Sequence, residues 1–272
     1  MAHNAQERYS SLVDLKLRAT LVQKDGVVWN NRYEGDPKAG AVKVPVRDTE
    51  VTVAAYNKQN GAGKTHGDTT YLTVPIDKDY AVNEVIDGFD AASVPDNLVA
   101  DRLDSAGYSL ALQVNSDSTA ALVAGGTEME EKRAMTKDTV YGVFVDTRTI
   151  MSKAKIPNTG RFALVSPETY ALLLKCPEFV RATSLGDDVV QTGAVGRIAG
   201  FTVFEDVTLP EKTEFIAGHP DWCTRINEWA VPVKVQDLSG SGSYIGASAV
   251  QGRIIYAHKI TKAVAVQIKK MR

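Results

Sequence analysis

The spacing of apolar residues changes period along the chain, and each change marks a new kind of element. Residues 1 to 24 are polar with a few apolar anchors, Leu12, Val13, Leu15, Leu17, Leu21 and Val22, too few to enclose a core. They read as an arm that packs on something else. From 26 to 82 the period is two, with short candidate strands at 42–46, 51–56 and 70–76 separated by Gly, Pro, Asn and Asp turns. Val42, Val44 and Val46 face one way, Lys43 and Arg47 the other. A ribbon of this kind is marginal alone and needs a neighbour for its apolar face.

From Pro95 the period lengthens to three and four, through Val99, Leu103, Ala106, Leu110 and Val114, which predicts a helix with Pro95 in its first turn. The polar run Asn115-Ser116-Asp117-Ser118 predicts an interruption, and Gly125-Gly126 an end. A second helix is expected over 138–154, with Val140, Val143, Phe144, Met151 and Ala154 on one face, stopping at Pro157-Asn158-Thr159-Gly160. In RFALVSPETYALLLKCPEF, residues 162–165 read as a buried strand and Ser166 as an N-cap. Pro167 opens a short helix whose apolar body is 171–174, closed by Pro177. GAVGRIAGFTVFED, EFIAG and WAVPVKVQDL give three further strands. After Ser239-Gly240-Ser241-Gly242-Ser243, Ile254, Tyr256, Ile260, Val264, Val266 and Ile268 predict one long final strand. The fold class is α+β, without regular βαβ alternation or internal repeat.

Composition narrows the function. The 272 residues are 44% hydrophobic and 24% charged, as in folded globular chains. Thirty-one Lys and Arg against 33 Asp and Glu leave a net charge of −2, so no global field recruits nucleic acid or acidic lipid. No apolar run approaches the ~20 residues that span a bilayer, and the N-terminus lacks the apolar segment of a secretory signal, so synthesis in a cytoplasm is expected. Cys176 and Cys223 are far apart, which argues for core thiols rather than a disulfide or zinc framework.

Candidate chemistry is thin. Gly61-Ala62-Gly63-Lys64-Thr65 resembles the end of a phosphate-binding loop, but the glycine needed five positions before Gly63 is Lys58. Residues 69–76 then alternate with period two, where a phosphate loop needs a helix whose N-terminus completes the anion site. A nucleotide-binding enzyme using 61–65 is therefore a distant alternative. His3, His66, His219 and His258 have no metal-ligand spacing, and SPE lacks the glycines of a nucleophile elbow. Gly193, Gly196 and Gly200 depart from the dinucleotide fingerprint. No catalytic residue, cofactor or metal is assigned, and the chain is not expected to be an enzyme.

The order of parts from about Val140 to Ala217 resembles the major capsid protein of tailed bacteriophages, the Hong Kong 97 fold. The resemblance is carried by a helix, then KIPNTGRFALVSPETYALLLK, LGDDVVQTGAVGRIAGFTVF and EFIAGHPDW. It implies an N-terminal arm (1–25), an extended loop (36–76), a peripheral domain with a long spine helix (77–125 and 244–272) and an axial domain (126–243). It also implies a head protein of the virion that assembles in the host cytoplasm. Many copies, as hexamers and pentamers of a procapsid, would form an icosahedral shell around double-stranded DNA. Portal, scaffolding or decoration proteins would be further partners, and no membrane is involved. An encapsulin-type compartment enclosing a cargo enzyme is the alternative within the same fold.

Under this resemblance 61–65 sits at the tip of the extended loop, which in the family reaches over a neighbouring subunit. Lys58, Lys64 and His66 become candidate inter-subunit contacts. Some relatives crosslink subunits through a Lys-to-Asn isopeptide bond, but no motif here supplies the Asn and the acid. Residues 251–272 carry Arg253, Lys259, Lys262, Lys269, Lys270 and Arg272 without an acid. They read either as a solvated strand face with a basic tail or as an interior surface making nonspecific phosphate contacts.

Overall fold

A computed structural model describes residues 16, 18–33, 40–46, 50–59, 61, 63, 67, 69–93, 97–130, 133–176, 196–240 and 244–271. Three sheets carry the architecture. Strands β1 (Ala41–Val46) and β2 (Thr70–Pro75) form an antiparallel ribbon. Strands β3 (Lys78–Ile86), β9 (Cys223–Asp237) and β10 (Ser248–Ile260) form an antiparallel sheet in the order β3-β10-β9. The six-stranded sheet has the order β4-β11-β8-β5-β7-β6. Its strands are β4 (Thr127–Glu128), β5 (Phe162–Val165), β6 (Gly196–Ile198), β7 (Phe201–Glu205), β8 (Thr213–Gly218) and β11 (Val266–Lys270). Helices are α1 (Gly88–Ser93), α2 (Leu98–Gly125), α3 (Val140–Lys153) and α4 (Pro167–Leu174).

The six-stranded sheet is covered on both faces, which explains the unbroken apolar runs of β5 and β8. Ala163, Val165, Val203, Phe215 and Ala217 pack with Val143, Phe144 and Met151 of α3 and Leu173 of α4. Phe162, Leu164, Phe204, Ile216 and Ile268, on the opposite face, pack with Leu122 of α2 and with Val22, Val28 and Trp29. The apolar side of the ribbon finds its neighbour within the same chain: Val44 and Val74 are buried against Ile226 of β9 and Ala257 of β10.

Local chemistry explains the helix ends. Asn97 accepts a hydrogen bond from Ala100 N to cap α2, and Ser166 accepts one from Thr169 N to cap α4, with Pro167 directly after it. Helix α3 is closed from outside by Arg161, which is 1% exposed. Its guanidinium donates to the carbonyls of Arg148 (3.3 Å), Ile156 (2.7 Å) and Pro157 (2.7 Å) and to Ser152 Oγ (3.2 Å). A cation there meets two carbonyls of the chain just beyond the helix, Ile156 and Pro157, and opposes the negative end of the helix dipole.

Three expectations are corrected. Helix α2 runs without interruption through 115–118, because Asn115, Ser118, Thr119 and Leu122 form one buried stripe at steps of three and four and the polar members are hydrogen-bonded inside the protein. The final apolar series is two strands. β10 ends at Ile260, a turn with a 3-10 segment at Ala263–Ala265 intervenes, and β11 joins a different sheet. The stretch 51–56 has no strand pairing among the described residues and lies exposed. Pro95 lies outside the described residues.

Arg161→Leu removes the guanidinium and leaves the buried Ile156 carbonyl without this donor, so a loss of about 1–3 kcal/mol is expected. It should read as a lowered urea midpoint with unchanged slope; an unchanged midpoint would mean that these bonds carry no net stability.

Candidate assembly surfaces

The described part of the N-terminal segment is bound along α2 of its own chain. Lys16 pairs with Asp101 (2.6 Å) and Arg18 with Asp104 (2.5 Å), while the Ala19 amide donates to Tyr108 Oη (2.8 Å). Gln23 then enters the interior, donating through Nε2 to Thr119 Oγ1 and to Asp206 Oδ2 (2.8 Å). Asp206 also accepts from Thr208 Oγ1 (2.6 Å), and Asn115 Nδ2 donates to that hydroxyl (2.6 Å). Beyond Trp29, Asn30 meets β9: its amide donates to Cys223 O (2.8 Å), and Arg225 N donates to Asn30 O (2.8 Å).

Arg225 is the junction. Its buried guanidinium donates from Nη1 to Asp25 Oδ1 (2.7 Å), from Nη2 to Gln23 O (3.0 Å) and Ser118 Oγ (2.8 Å), and from Nε to His258 Nε2 (2.9 Å). The guanidinium carbon is 5.7 Å from the centre of the Trp29 ring. Burial pulls its pKa down and Asp25 pushes it back up. Because arginine offers only donors, His258 Nε2 must accept, which places the ring proton on Nδ1. That nitrogen is buried without a hydrogen-bond partner. Trp29 and Tyr256 flank the imidazole at 4.6 and 5.2 Å, and Asp117 accepts from Tyr256 Oη (2.8 Å). Burial first, then the charges of Arg225 and Lys78, push the His258 pKa down to about 3.

The ribbon beyond β1 and β2 exposes apolar side chains. Val51 is 84% and Val53 94% exposed, and Tyr56 is also exposed. Asn57 and Gly61 close a turn through two backbone bonds (3.2 and 2.8 Å), with Gly61 at a φ of +71° that side chains disfavour. Lys58 is exposed within that turn. Lys64 and His66, and with them the end of the glycine-rich stretch, lie outside the described residues.

Four of the six basic candidates are divided between two sheets. Arg253 is exposed on β10 and makes two bonds to Asp79 (2.8 and 2.5 Å), with its guanidinium carbon 5.6 Å from the Trp229 ring centre. Lys259 is exposed on β10, and Lys262 is half-buried in the turn after it. Lys270 pairs with Glu128 (2.6 Å). Lys269 is buried 3.9 Å from Glu214, whose own pKa burial raises. Arg272 lies outside the described residues. Both cysteines are buried, as expected of core thiols. No helix of the described residues is long and apolar enough to cross a membrane.

Sequence reading missed two features. The Arg225 junction has no local signature, since its partners lie 33 to 202 positions away. An exposed tip carrying Phe89 and Ile245 did leave a signal, an aromatic held between acids in Asp87-Gly88-Phe89-Asp90.

Known proteins share both the sequence pattern and the fold. The sequence model of the family described as Phage capsid protein matches residues 84–257. No curated protein matches the sequence. Among solved structures, one from Mycobacterium phage Che8 is similar over 97% of this chain and 96% of its own, with a TM-score of 0.77 at 21% identity. The capsid structure of the cyanophage P-SCSP1u gives 0.79 at 12% identity over 98% and 93%. The mature capsid of bacteriophage PhiM1 gives 0.72 at 12% over 98% and 91%. At these identities the likeness establishes the fold.

A histidine held neutral in the native state and protonated in the unfolded chain near its ordinary pKa of ~6.5 stabilises fully above that value. Its contribution is lost as pH falls from about 6.5 towards 3. His258→Gln should therefore flatten the decline of the urea midpoint between pH 7.5 and 4.5. Equal slopes in both proteins would mean that His258 is not held neutral.

Proposed function

The chain belongs to the phage capsid protein family, a family of shell subunits, and on that premise we propose how it works. Many copies, as hexamers and pentamers, close into an icosahedral shell around double-stranded phage DNA in the host cytoplasm. The observation that carries this reading is the family match from β3 to β10, on a chain whose fold agrees over nearly its whole length with the capsid structures of two phages. The same match favours a phage head over an encapsulin-type compartment. The role is structural rather than enzymatic.

The division of labour belongs to the same proposal. A peripheral unit is built on α2 and the three-stranded sheet, and strand pairing supports including β9 in it. An axial unit is built on the six-stranded sheet, which takes in β11. The N-terminal segment is an arm whose root, 18–30, is fastened to its own subunit. The ribbon is the extended loop, and Lys58, Lys64 and His66 near its tip contact neighbouring subunits. Repeated modest contacts suit a closed shell, because misplaced subunits can leave before closure. Lys259, Lys262, Lys270, Arg253 and Arg272 would face DNA through nonspecific phosphate contacts weakened by salt. Lys269, being buried, is left out of that surface. Portal, scaffolding or decoration proteins complete the set of partners.

Electron microscopy of the purified protein, with sedimentation velocity alongside, tests the reading. Closed thin-walled particles or capsomer rings are expected. A chain that stays monomeric and binds ATP in a manner abolished by Lys64→Ala would contradict it.

A further inference from the structure

The cluster around Arg225 holds a titratable group that shell formation does not use, His258, placed where several segments meet. Arg225 Nε, on β9, donates to His258 Nε2, and Ser118 Oγ, on α2, lies 3.0 Å from the same nitrogen. Trp29 of the N-terminal root and Tyr256 of β10 flank the ring. The charged groups facing it are mostly of one sign. Arg225 and Lys78 of β3 are the cations that act on it. The carboxylates of the cluster are taken by other groups: Asp25 of the root is 2.7 Å from Arg225 Nη1, and Asp117 of α2 accepts from Tyr256 Oη. A proton on Nε2 is incompatible with this packing. It would turn an acceptor into a donor and set an imidazolium 2.9 Å from a buried guanidinium.

The cluster has one side that can yield. His258 and Arg225 are paired residues within a long antiparallel ladder, which runs from Ser248 opposite Asp237 to Ile260 opposite Cys223. The root is held to that ladder by a single bridge, Asn30 to Thr224, and by side chains. Two of the acceptors that satisfy Arg225, Asp25 Oδ1 and Gln23 O, belong to the root. If the root lifts, water can reach both rings of charge. We propose that His258 is an acid-sensitive latch on the N-terminal root: a proton taken up at Nε2 releases residues 22–30 from β9 and α2 while the six-stranded sheet and its helices stay folded. The latch is internal to one subunit, so it operates whether or not copies assemble.

The direction follows from linkage. In the closed form burial, Arg225 and Lys78 hold the His258 pKa down at about 3, whereas in the open form the hydrated ring returns to its ordinary ~6.5. The closed form is therefore favoured in full above about 6.5 and loses ground as pH falls towards 3. Between pH 7.5 and 4.5 the ratio of open to closed root should rise about 100-fold. Hydrogen exchange read by mass spectrometry at the two pH values, corrected for the intrinsic exchange rate, measures this on the full chain, with circular dichroism confirming the fold at each. Protection of 22–30 in wild type should fall by up to about 100-fold, while α3 and α4 change by less than about three-fold. In His258→Gln, which keeps a neutral acceptor for Arg225, the root should lose that response. Equal protection of the root at both pH values overturns the proposal. So does a loss shared equally by α3 and α4, which would be unfolding of the whole subunit, and so does a full response in His258→Gln, which would place the proton on another group. Wild type decides the first two outcomes by itself, even if the variant does not fold.

Discussion

The buried guanidinium of Arg225 is the constraint on which the rest of the structure depends. A cation away from water is strongly unfavourable unless its donors are all met. Here the acceptors come from Asp25 and Gln23 in the N-terminal segment, Ser118 in the middle of α2 and His258 in β10. None of these segments can shift without stranding the charge. The polar stripe on α2 arises from the same requirement, since Ser118 meets Arg225 while Asn115 and Thr119 reach Thr208 and Gln23. One junction therefore sets the position of the helix relative to the strands on either side of it.

A subunit fastened at its centre can leave its extremities unsatisfied. The five most exposed large apolar side chains among the described residues, Val51, Val53, Tyr56, Phe89 and Ile245, lie in the ribbon extension and at the end of the three-stranded sheet. Such groups are a liability on a monomer and an asset on a subunit whose neighbours cover them. The outer part of the N-terminal segment is held differently from its root. Lys16 and Arg18 make exposed ion pairs, which salt weakens, whereas Gln23, Val28 and Trp29 are buried. The root belongs to the folded body.

Much of this was legible in the sequence. The caps at Ser166 and Pro167, the buried strand 162–165, the helix over 138–154 and the one-sided ribbon all rest on local rules, and the structure contains each of them. Local rules failed where a distant partner reversed their meaning. Asn115 to Ser118 looked like a break because polar residues normally face water, and here Asn115 meets Thr208 and Gln23, Ser118 meets Arg225 and Asp117 meets Tyr256, while Ser116 alone is exposed. The final strand looked continuous because an apolar series does not say to which sheet each half belongs. Strand β3 was overlooked although its burial alternates residue by residue. The acids around Phe89 were visible, but only the close approach of Gly88 to Gly246 shows that Ile245 joins them.

Hydrogen exchange on wild type and Arg225→Met, compared by mass spectrometry under conditions where both are folded, tests the central claim most directly. If one junction fastens the body, protection should fall together in 22–30, 113–120, 223–227 and 256–260, while α3 and α4 keep theirs. A loss confined to 223–227, with the N-terminal root and the middle of α2 unchanged, would contradict it.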